Sequence, residues 1–165
     1  MSYVRPSHLT DGAETWREVS ELYELTVDDL KVVIASDGVT DNQQAAEAYA
    51  SLLRFCAQAD AEVDSRLARR GYPLPLSATQ FPVLTVWARA IARYHIHRNR
   101  DRSSEETGRI ERDYRDALRA LDMVAEGTLS LGANDPLLAT AGEDPASVEV
   151  HSNARLFSRD TLGGL

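Results

Sequence analysis

The sequence has one cysteine, one lysine and no apolar run close to the ~20 residues that cross a bilayer. Each shortage removes a class of protein. A lone Cys56 excludes an internal disulfide framework, so stability has to come from a hydrophobic core. Its apolar neighbours make it a buried small hydrophobe rather than a reactive thiol. Without a long apolar run no membrane-spanning helix is expected. Met1 to Pro6 carry no signal-peptide core, so synthesis in a reducing cytoplasm is expected.

Positive charge is also scarce. The chain has 26 acidic and 18 basic residues, with Lys31 the only lysine, and a formal net charge of -8. Non-specific adhesion to DNA or to an anionic membrane is therefore disfavoured. Arginine in place of lysine has two readings, a GC-rich genome or bidentate contacts at protein interfaces.

Chemical motifs are missing too. His8, His95, His97 and His151 are the only histidines. His95 and His97 stand two apart, so on a helix they cannot form an i, i+4 metal pair, and they read as surface or half-buried side chains. Asp60 and Asp64 share a helix face without the Glu-x-x-His partners of a di-metal bundle, and Arg66 is placed to neutralise them. No glycine-rich phosphate loop or nucleophile elbow is present. Arg89, Arg93, Arg98, Arg100 and Arg102 form a candidate basic patch. Poor aromatic interleaving makes a solvated helix face the better reading. No catalytic residue, metal or cofactor is expected.

What is present is helical. A chain of 165 residues is most simply one domain. Ala45, Tyr49, Leu52, Cys56, Ala59, Val63 and Leu67 step by three and four along one stripe of a helix over 41–70. Its other face carries Gln43, Glu47, Arg54, Gln58, Glu62 and Arg69. Asp41 or Asn42 can cap it, and Gly71 with Pro73 and Pro75 ends it. Further helices are expected over 13–25, 82–98 and 104–126, the last capped by Ser103 and closed by Gly127. Residues 26–34 read either as a helix capped by Thr26 or as a short strand. The expected fold is an all-α helical bundle with one long central helix and an extended C-terminal tail. Trp87, Leu84, Leu118, Leu121, Leu52 and Val63 are assigned to its core. The helical part spans 1–131; a linker and tail occupy 132–165, where Gly, Asn, Asp and Pro break any period.

The run Ala59 to Leu67 leads through Tyr72-Pro73-Leu74-Pro75 to Pro82-Val83-Leu84. Ala92-Arg93-Tyr94-His95-Ile96-His97, Tyr114 to Leu118 and Val124 to Leu131 follow in order. The tail ends on Arg155-Leu156-Phe157-Ser158-Arg159-Asp160-Thr161-Leu162. In that order and spacing the chain resembles the Mu-type phage head–tail connector family, most weakly over residues 1–40. The resemblance implies a non-enzymatic neck component of a virion or prophage, made in the bacterial host cytoplasm. It implies a ring, twelve copies in the related adaptors, around a channel through which packaged DNA passes unbound. The implied partners are the portal protein, neighbouring copies and a stopper or tail-terminator protein, with no membrane. Arg155, Leu156, Phe157, Arg159, Asp160 and Leu162 are the candidate residues for docking on portal or on a neighbouring subunit. Two competing classes remain: a cytoplasmic helical module binding nucleic acid or protein through its arginines, and a helical enzyme without a recognisable site.

Overall fold

A computed structural model describes residues 2–98, 105–132 and 135, with backbone alone at 105–107. The fold within these residues is all-α, with no strand. A 3-10 turn, Pro6–Thr10, precedes α1 (Ala13–Leu22) and α2 (Val27–Ala35). Then come α3 (Gln43–Arg70), α4 (Pro82–His97) and α5 (Glu105–Glu126).

The long helix forms for the reasons its sequence suggests. The Asn42 side chain accepts hydrogen bonds from the Gln44 and Ala45 amides, satisfying two orphan donors of the first turn. At the other end Gly71 takes a left-handed φ of 90°, and the Tyr72 amide donates back to the Leu67 carbonyl. All seven residues of the stripe from Ala45 to Leu67 are buried. α4 and α5 pack on this helix and on each other, closing a three-helix core. Leu84, Ile91, Leu121 and Val124 are fully enclosed within it.

Residues 26–34 resolve as helix. The Thr26 hydroxyl accepts from the Asp29 amide, and Leu30 and Val33 turn inward on one face. Tertiary packing on α3 overrides the strand preference of the β-branched run. The first helix stops at Leu22, earlier than the expected 25, because Glu24 takes a φ of 53° and breaks the repeat. Two assigned core residues are corrected: Trp87 and Leu118 are half-buried and lie against the core rather than in it. Both sit where the helical stripe rolls toward the surface. Gly38 is required by packing. At φ 90° it meets the Tyr49 ring, and an added Cβ would lie 2.6 Å from the ring edge.

Candidate interaction surfaces

The N-terminal segment is anchored on the long helix. Tyr3 and Val4 are almost wholly buried against α3. Asp60 accepts hydrogen bonds from the Tyr3 and Val4 amides at 3.1 and 3.2 Å, and from the Ser2 hydroxyl at 2.6 Å. The Tyr3 hydroxyl donates to Asp64 at 2.6 Å and accepts from the Leu76 amide at 3.1 Å. The paired carboxylates therefore clasp the chain's beginning. Burial pushes the Asp60 carboxyl up, the three donors pull it back, and the neighbouring Asp64 charge adds to the rise. The expectation that Arg66 neutralises this pair is not met; its guanidinium donates to Asp122 on α5 at 3.1 Å.

A second clasp joins α1 to α4. Glu18, only 8% exposed, receives Arg93 at 2.6 Å, with His97 at 2.9 Å from its other oxygen. The His97 contact has ion-pair distance without hydrogen-bond alignment. Desolvation works against ionising Glu18, but His97 and Arg93 together outweigh it and hold the carboxyl below its ordinary range. Arg89 reaches Asp11 at 3.0 Å. His95 lies 2.6 Å from Glu62, beside stacked Tyr94 and Tyr114 rings whose centroids are 3.9 Å apart.

These pairings correct two expectations. His95 and His97 are both buried, because α4 packs on two sides and their successive faces each find a carboxylate. The basic patch loses two members, since Arg89 and Arg93 neutralise carboxylates from the N-terminal part of the chain. Arg98 is exposed at the end of α4; Arg100 and Arg102 lie outside the described residues.

At the far end of the bundle Arg70 makes a bidentate pair with Asp135, 3.1 Å at each oxygen, and Asp135 is 1% exposed. Gly127, at φ 83°, lies against the same guanidinium. The chain leaving α5 is thereby fixed beside the C-terminus of α3.

Among the open grooves of the described residues, two lie against the three-helix core. One, about 510 Å3, lies among the N-terminal segment, the end of α2 and the middle of α3, lined by Val4, Arg5, Ile34, Asp37, Leu53 and Ala57 among others. Cys56 contributes to its wall, with a thiol pushed up to about 12 by burial and the Asp60 charge. The other, about 420 Å3, runs between α4 and α5, where Val86 and Trp87 meet Arg109, Asp113 and Asp116. Neither groove was anticipated. The available signal was Leu53 with Ala57, an apolar pair at helical spacing on the flank of α3, about a quarter turn from its core stripe.

The candidate docking residues Arg155, Leu156, Phe157, Arg159, Asp160 and Leu162 lie outside the described residues, as do Val148 to Val150, His151 and the expected cap Ser103. Among the described residues no group of three or more His, Cys, Asp or Glu is arranged to hold a metal ion. No helix among them is long and apolar enough to cross a membrane.

The fold and its surfaces define a small all-α protein built on one long helix, with its N-terminal segment clasped to that helix by carboxylates. Residues 13–150 match the family model described as Bacteriophage Mu, Gp36, and the chain belongs to that family. It is a protein of Mu-type phages and prophages. The "Mu-like prophage FluMu protein gp36" of Haemophilus influenzae (strain ATCC 51907 / DSM 11121 / KW20 / Rd) is 35% identical over 102 residues. That match covers 62% of this chain and 66% of the relative, just under two thirds of its length. No solved structure matches the chain.

Proposed function

We propose that this chain is a head–tail connector of a Mu-type phage or prophage. In this reading it is a virion component with no catalytic role. It assembles as a ring, twelve copies by analogy with the helical adaptors, below the portal and around the DNA channel. Its other partner is a stopper or tail-terminator protein, and its C-terminal tail docks on portal or on a neighbouring subunit.

The observation that carries the reading is family membership over residues 13–150. The structure supports it in three ways. The long helix gives a rigid spine for a ring subunit. The net charge of -8 repels phosphate, as a conduit that lets DNA slide requires. Arg89 and Arg93 are engaged by carboxylates, which weakens the competing reading of a nucleic-acid-binding module.

Deletion of residues 148–165 tests the attachment. The truncated chain is expected to melt within about 1 °C of the full chain, yet to be lost from portal in co-sedimentation. Normal attachment to portal without the tail, or collapse of the truncated monomer, would show that the tail is not the docking element.

A further inference from the structure

The groove beside the N-terminal segment has a composition that points to its occupant. Its lining includes the apolar Val4, Ile34, Leu53 and Ala57 and two exposed charges of opposite sign, Arg5 and Asp37, with the half-buried Asp60 already engaged by the N-terminal segment. Leu53 is 44% exposed, one of the large apolar side chains left uncovered. Asp37 accepts one hydrogen bond from the Tyr49 hydroxyl, and neither it nor Arg5 has an ion-pair partner among the described residues. The volume, about 510 Å3, falls within the ~300–1,000 Å3 of clefts that bury most of a ligand.

We propose that this groove receives residues 155–162 of a neighbouring copy of the chain. That segment carries the reciprocal pattern, Leu156 and Phe157 side by side, with Arg155 and Arg159 flanking them and Asp160 next. The two apolar side chains cover the apolar lining, an arginine meets Asp37, and Asp160 meets Arg5. Burial of Leu156 and Phe157 supplies the affinity; the charges set the direction of the segment in the groove.

The distances allow it. Asp135 is fixed beside Arg70, roughly 20 Å along the axis of α3 from Ala57. The chain between Asp135 and Arg155 reaches up to ~65 Å when extended, enough to leave one bundle and cross to the next. The choice of a neighbour rests on the connector reading. A ring needs two different surfaces that fit each other on successive subunits, and a tail lying in its own groove supplies neither.

The test uses the full chain with Cys56→Ala, to remove the natural thiol, and with Ala57→Cys and Ser158→Cys, which leaves the anchors Leu156 and Phe157 in place. Ala57 is exposed, so its substitution leaves the core untouched. Ser7→Cys with Ser158→Cys, in the same Cys56→Ala background, reads the same contact from a second position on the groove wall. Assembled protein is oxidised with copper–phenanthroline and run on a non-reducing gel, and the assemblies are imaged by electron microscopy. A ladder of disulfide-linked multimers is expected from both pairs. Adding Asp37→Asn, which keeps an acceptor for Tyr49 and tolerates the left-handed φ of 50°, should lower the cross-linked fraction at least threefold. Rings that give no disulfide, or only one closed within a single chain, overturn the proposal and leave the connector reading standing. Protein that forms no ring with portal or without it overturns both.

Discussion

Tyr3→Phe isolates the clasp that binds the N-terminal segment to the long helix. The ring is 1% exposed and stays in place; only the hydroxyl is lost. That hydroxyl donates to Asp64 and accepts from the Leu76 amide, and the Leu76 bond is buried. Asp64 is partly exposed, so water can replace the lost donor there. The Leu76 amide has no such access, and a buried donor left without an acceptor costs about 1–3 kcal/mol. At about 2–4 °C per kcal/mol for a chain of this size, the melting temperature should fall by about 2–12 °C. Differential scanning calorimetry on the full chain reads this directly. Tyr114→Phe is the control. Its ring is stacked on Tyr94, and its hydroxyl makes no hydrogen bond among the described residues, so its melt should move by less than about 1 °C. A Tyr3→Phe melt equal to the control would mean that the hydroxyl does not hold Leu76 in solution.

The Glu18 clasp should show in acid. Its folded carboxyl is held below the ordinary value of 4.5, so its contribution is full above that value and is lost as pH falls through the folded one. Glu18→Gln should therefore lower stability clearly at pH 7 and much less near pH 3.5; an equal loss at both would assign the role to packing instead of charge. Leu52→Ala, at a fully buried site, should cost about 2–5 kcal/mol in urea denaturation. Leu118→Ala should cost roughly half as much, because part of that side chain already faces water. Equal losses from the two would contradict the placement of Leu118 at the edge of the core.

Local order was legible in the residues themselves. The stripe from Ala45 to Leu67, the cap at Asn42, the stop at Gly71 and the terminator Gly127 all follow from preferences that act over one or two turns. The resemblance that led to the Mu-type family was likewise readable from ordered segments of the chain. Tertiary structure alone decided where the polar side chains went. Asp60 and Asp64 hold Tyr3, Arg66 turns to Asp122, and Glu18 draws in Arg93 and His97, in each case across dozens of residues. Helical periodicity says which face a residue occupies and nothing about which distant segment will cover it. The same holds for the groove at Leu53 and Ala57, whose other wall comes from Val4 and Ile34. That groove exists only because α3 is long enough to carry the three-helix core on one side and the N-terminal segment on another, which no local pattern encodes.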